Sequence, residues 1–292
     1  MAIIHHPFTS YLNLTHFKHH KHTTIITKAR HNTIKPVITC SSFSHTNVLL
    51  NDAAKHTVDT YLQSGMVVGL GSGMASSLAI QYLGQKLQVG LLKDVVGIPT
   101  SVGSASEAEK AGIPLQQYQD SLQIDFAFND ADIMEEESLT AVIGRQIREG
   151  EVSLFEEKRI LDVTKNLVLM LAEKYYKSPV EGSIPVLVKS VSWMDTAEEI
   201  DDLFIGDAEV WRRPSIGHAD PTGGNFPLVT REGHNFLDVI FTSPIPNLAE
   251  VARLLDGIEG VAAHGIITNT PCTAVIGTES GLRIIENTVK AT

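Results

Sequence analysis

The stretch VVGLGSGMAS, residues 67–76, runs from apolar residues through Gly69, Gly71 and Gly73 into small side chains. An apolar strand that turns through glycines into a helix leaves backbone N–H groups and the helix N-terminus facing an anion. It also requires a buried strand with a helix behind it, and the chain downstream repeats that alternation. The predicted strands are 66–70, 95–99, a short one at 115–118, 124–128 and 167–171. A helix capped by Asn51 precedes them, with Ala54, Val58, Tyr61 and Leu62 on one face and Gly65 at its end. Further helices are predicted from the glycine turn to about Leu83, from the capping-box spacing of Ser104 and Glu107 to Gly112, and over 154–161. Buried strands interleaved with helices make this an α/β chain with an open, mostly parallel, Rossmann-like sheet.

After Asp207 the pattern changes. Residues 212–227, RRPSIGHADPTGGNFP, read as an exposed loop, and VTREGHNFLDVIF as strand, tight turn at Glu232 and Gly233, and strand. Asn247 caps a helix bearing Leu248, Val251, Ala252 and Leu255 that stops at Gly257, and strands are predicted at 261–267 and 273–277. This is the order of a smaller α+β, ferredoxin-like module. The predicted division is residues 46–178 with 268–292 as the α/β domain, and 179–267 as the α+β module with a loop insertion near 211–227.

Charge separates the first residues from the rest. Residues 1–51 hold no Asp or Glu, five Lys/Arg and eight of the twelve histidines. Removing them leaves 18 basic against 34 acidic residues, a net charge of −16 that repels nucleic acid and anionic membranes. The acid-free, hydroxyl-rich start reads as an organellar transit peptide over about residues 1–45, cut near 40–46, with plastid ahead of mitochondrion. A metal-binding reading of HFKHHKH is the weaker alternative. No apolar run is long enough to span a membrane. Two cysteines, Cys40 and Cys272, make no disulfide framework or CxxC metal site.

The glycine turn is a poor dinucleotide site. Ser76 stands where G-x-G-x-x-G needs its third glycine, and Asp94 precedes the second strand instead of ending it. No Lys-Ser/Thr pair follows, which excludes a P-loop. A small phosphorylated ligand, or a tight turn with no ligand, remains. The second strand ends in the hydroxyls Thr100 and Ser101, and Asp130 and Asp132 follow the next long strand. Ligands gather beyond the carboxyl ends of strands in such sheets. A phosphate cradle beside carboxylates suits proton abstraction next to a carbonyl, with a solvated acidic loop as the alternative. In FEEKRI, Glu156 and Glu157 lie about 100° apart on a helix, so at most one can face a pocket.

Taken together, SGMVVGLGSGMAS, VVGIPTS, SLQIDFAFNDAD, FEEKRI, VTREGHNFLDVIF, IEGVAAHGI and AVIGTESGL resemble, in order, the motifs of the ribose-5-phosphate isomerase A family. The resemblance implies interconversion of ribose 5-phosphate and ribulose 5-phosphate through an enediolate, with no metal and no cofactor. It places the base on Glu157 and an assisting acid on Asp132, with Asp130 as a neighbouring candidate. It assigns phosphate and sugar binding to Gly71, Ser72, Gly73, Arg148 and Lys174, beside the hydroxyls of Thr100 and Ser101. The chain departs from the family's D-G-A-D-E at Asn129, Asp130 and Ile133. It departs from the Ser-Thr after the glycine loop at Met74 and Ala75, and from a K-G-R-G-G pattern at 148–152. Arg148 keeps a positive charge but not a transferable proton. The alternative is a catalytically impaired relative that binds a sugar phosphate or regulates a partner isomerase. The expected ligand is a small sugar phosphate, with no nucleic acid and no membrane; association into a homo-oligomer is left open.

Overall fold

A computed structural model describes residues 43–146, 154–216, 221–224, 226–268 and 270–286. Its spine is a six-stranded sheet in the order β13-β12-β6-β3-β1-β2. The strands are β1 Val67–Leu70, β2 Val96–Pro99, β3 Phe126–Asp130, β6 Leu167–Ala172, β12 Cys272–Thr278 and β13 Gly281–Glu286. All neighbours are parallel except β13, which folds back on β12. Every residue of β6 is buried, as a strand covered on both faces requires.

Because β2 and β3 flank β1 on opposite sides, the chain reverses direction across the sheet at β1. The crevice beyond the carboxyl ends of β1 and β3 is therefore the topological switch point, where open α/β sheets take their ligands. Helices α1 Phe43–Tyr61, α2 Met74–Gln88 and α3 Val102–Lys110 contribute to a core with Val68, Leu70, Phe126 and Phe128. Helix α4 Leu154–Val163 supplies Leu154 and Leu161 to a second core with Leu169 and Ile276.

The second module has the order β7 Val180–Val188, α5 Trp193–Leu203, β8 Ala208–Arg212, β9 Asn235–Ile245, α6 Leu248–Asp256, β10 Val261–His264. Its antiparallel sheet runs β10-β7-β9-β8, the ferredoxin-like arrangement. The strand-turn-strand reading of VTREGHNFLDVIF survives on its second side; the first is a single bridge, Val229 to Asn235. A third sheet, β11-β5-β4, joins Ile266–Ile267, Ala141–Val142 and Ile133–Met134.

Several expected boundaries move. Helix α1 begins at Phe43, so Asn51 lies inside it and caps nothing. Helix α3 is capped by Ser101, whose hydroxyl accepts from Ser104 N–H, so the capping box sits three residues before the predicted one. Residues 115–118 make one bridge, Leu115 to Gly97, and no strand. The strand predicted over 261–267 breaks at Gly265 into β10 and β11, which enter different sheets. Asn247 does cap α6, its side chain accepting from Glu250 N–H at 3.0 Å. The expected transit peptide falls on residues outside the described set up to 42, and no described helix is long and apolar enough to cross a membrane.

Gly265 marks where the sheets meet. Its N–H donates to Pro185 O and its carbonyl accepts from Ile143 N–H, both at 2.8 Å, and a Cβ there would collide with the Ile143 carbonyl oxygen. Replacement by alanine must therefore push backbone against backbone. Gly265→Ala is expected to lower stability by about 1–3 kcal/mol, read as a lower urea midpoint with an unchanged slope.

Candidate active site

The glycine turn between β1 and α2 is tied to the end of β3 by two adjacent side chains. Asn129, 1% exposed, accepts from Ser72 N–H through Oδ1 at 2.8 Å, and its Nδ2 donates to the Asp130 carbonyl at 2.9 Å. The Asp130 carboxylate reaches the first turn of α2. Its Oδ2 accepts from Ala75 N–H at 2.9 Å, and its Oδ1 accepts from Ser76 N–H at 2.7 Å and the Ser76 hydroxyl at 2.8 Å. A Cβ on Gly71 would strike the Phe128 carbonyl and Asn129, and one on Gly73 would strike Asp130. Gly73 also adopts φ 116°, which L side chains rarely take.

The neighbouring hydroxyls are engaged locally. The Ser72 hydroxyl lies 3.2 Å from the Thr100 hydroxyl, which also donates to Leu70 O at 3.0 Å. Ser101 caps α3. Thr100 and Ser101 thus shape the turn beside the crevice, and Ser101 has its hydroxyl committed to the helix. Lys174 follows β6 on the same rim, exposed, with its ammonium 4.7 Å from the Tyr175 ring centre.

Asp132 lies just before the β4–β5 hairpin. Its Oδ2 accepts from Arg145 N–H at 2.7 Å. Burial pushes its carboxyl up, opposed by that bond and by the guanidinium charges of Arg145 and Arg213. Arg145 itself is held by Ser183 O at 2.7 Å through Nε. Arg213 grips Asp238 with Nε at 2.7 Å and with NH2, and donates to Gly144 O at 2.8 Å. Arg148 lies outside the described residues. The cation the structure sets beside Asp132 is Arg145, which the sequence reading passed over. Gly144-Arg145 shares the Gly-Arg of the K-G-R-G-G pattern, but lies ahead of the 148–152 stretch on which that pattern was placed.

Helix α4 resolves the choice between its glutamates. Glu157 shares the buried face with Leu154, Ile160 and Leu161 and is 9% exposed. Glu156 is half-exposed and pairs with Arg159 at 3.3 Å. Next to Glu157, Lys158 fastens the helix to the second module, donating to Ile266 O at 2.6 Å and lying 3.3 Å from His264 Nδ1. Ile266 N–H also donates to that Nδ1, which leaves the His264 proton on Nε2, 3.0 Å from Asp256. Burial and the Lys158 ammonium hold His264 down at about 4, so it is neutral near pH 7. The sequence reading gave Lys158 and His264 no role, because nothing in their spacing shows that they meet.

Among the described residues no group of three or more His, Cys, Asp and Glu could hold a metal ion. The arrangement offers a buried carboxylate on α4, a half-buried carboxylate at 132, and a glycine turn after which the N–H donors of Ala75 and Ser76 are occupied by a third.

The sequence pattern of the family described as "Ribose 5-phosphate isomerase A (phosphoriboisomerase A)" matches residues 96–281. The ribose-5-phosphate isomerase A of Gluconobacter oxydans is 33% identical over 241 residues, 81% of this chain and 95% of that protein. The structure of ribose 5-phosphate isomerase from Plasmodium falciparum superposes with a TM-score of 0.72 at 25% identity, over 83% of this chain and 99% of that one. A D-ribose-5-phosphate isomerase in complex with phospho-erythronic acid gives 0.72 at 26% identity, over 82% and 99%.

Burial pushes the Asp130 carboxyl from 3.8 up to about 6, against the pull of the Ser76 hydroxyl and the two N–H groups and with the Asp132 charge adding to it. Between those pH values the native protein keeps a proton that the unfolded chain has lost, so this contribution to stability falls as pH rises and levels off above about 6. Asp130→Asn removes it. The stability difference, wild type minus Asp130→Asn, is expected to drop by about 1–3 kcal/mol from pH 4 to pH 7 in urea melts. A flat difference would place the ionisation elsewhere.

Proposed function

Because the chain belongs to the ribose 5-phosphate isomerase A family, we propose that it is an aldose–ketose isomerase. It interconverts ribose 5-phosphate and ribulose 5-phosphate, a step of pentose phosphate metabolism. The observation that carries the reading is the burial of Glu157 on the inner face of α4, with Glu156 half-exposed and paired with Arg159. A carboxylate held on a buried helix face can serve as the base toward a C–H proton next to a carbonyl. Glu157 takes the proton from the carbon on one side of the carbonyl and returns it to the neighbouring carbon, and the enediolate forms between the two transfers. Asp132, its carboxyl raised by burial, assists at the oxygens, and the Arg145 charge beside it favours the anionic intermediate. The phospho-erythronic acid bound by a solved relative carries a phosphate, as this substrate does.

The second reading, a family member with little turnover, is favoured by two substitutions. Asn129 cannot ionise where the family has aspartate, and Arg148 stands where the pattern has lysine. For residues 1–45 the proposal is a plastid-targeting leader, supported by their lack of acids and their hydroxyl content.

The full chain is expected to convert ribose 5-phosphate to ribulose 5-phosphate in a coupled assay, and Glu157→Gln to lower kcat by about 10²–10⁴ fold with an unchanged circular dichroism spectrum. A folded wild-type protein with no turnover above a blank would leave the second reading in place.

A further inference from the structure

The isomerase reading makes no use of the identity of residue 130, yet the glycine turn is built around it. The residue preceding α2 is Gly73, which has no side chain with which to cap the helix. The donors of the first turn, Ala75 N–H and Ser76 N–H, are those a helix presents to an anion. Here they already hold one. It is supplied by β3, 54 and 55 residues further along the chain, and the Ser76 hydroxyl adds a third bond to it. Asp130 stands where the family pattern has a glycine, which has nothing to place there.

From this geometry we infer that Asp130 is a specificity-determining residue: its carboxylate is a built-in anion that closes the glycine turn to phosphate and weakens the site's preference for phosphorylated over unphosphorylated sugars. Two like charges cannot share these donors. A phosphate brought to the same N–H groups would lie within a few ångströms of the Asp130 carboxylate, with Asp132 close enough to add to the repulsion. The loss of hydroxyls at Met74 and Ala75 is consistent with this, since a turn that holds its own anion needs no further donors for a ligand. The inference rests on the isomerase reading for its choice of sugar phosphate; its test with inorganic phosphate does not.

The test is titration calorimetry on the full chain at pH 7.5 with inorganic phosphate, ribose 5-phosphate and ribose, comparing wild type, Asp130→Gly and Asp130→Asn. Asp130→Gly is expected to bind both phosphate ligands at least about tenfold more tightly, because it frees two N–H groups and a hydroxyl and removes the like charge. Asp130→Asn should gain less in the same direction, and ribose should be unaffected in both. A folded Asp130→Gly protein that binds inorganic phosphate no better than wild type overturns the inference, as does an equal gain for ribose. If Asp130→Gly does not fold, Asp130→Asn decides by the same comparison. Isomerase assays run in parallel keep the two proposals apart. Absent turnover with a phosphate gain sinks only the enzyme reading, and turnover without a phosphate gain sinks only this one.

Discussion

The contact on which the site depends is the one between the Asp130 carboxylate and the first turn of α2. A helix begins with N–H groups that have no intrahelical partner, and burying them unmatched is costly. Gly73 cannot satisfy them, so the end of β3 does. The glycines of the turn follow from that contact: the space a Cβ would need at 71 and 73 is filled by Asn129 and Asp130. Strand, turn and helix are thereby locked across the β1–β3 crevice by hydrogen bonds from two consecutive residues.

The other half of the site is set from the far side of the chain. Glu157 sits on a helix only 10 residues long, and such a helix has little stability of its own. Its position comes from apolar packing and from Lys158, which reaches the carbonyl of Ile266 and the ring of His264. The β4–β5 hairpin, which presents Asp132 and Arg145, is paired to β11 just after Gly265. Both carboxylates of the proposed reaction are therefore positioned by strands more than a hundred residues later in sequence.

Much of the framework was readable because it rests on local patterns. Apolar runs gave β1, β2, β3 and β6, and the Asn247 cap and Gly257 stop gave α6. The failures have a common cause. The sequence reading assigned no element to residues 180–188, where the fold places β7 between β9 and β10. Residues 261–267 are continuous in hydrophobicity but are divided between two sheets at Gly265, where the backbones approach too closely for a side chain. Ser101 and Ser104 both qualify as caps by residue type, and the fold uses Ser101.

The sequence by itself determined the α/β alternation, the acid-free beginning, the residue types of the site and the family they belong to. It also determined that at most one of two adjacent glutamates can face inward, since the helical angle between them is about 100°. Tertiary structure decided which one, by burying Glu157 and leaving Glu156 to Arg159. It decided, too, that Asp130 spends its carboxylate on α2, because the donors it meets come from a helix more than fifty residues away. Local pattern fixes what a residue is able to do; long-range packing fixes which partner it meets.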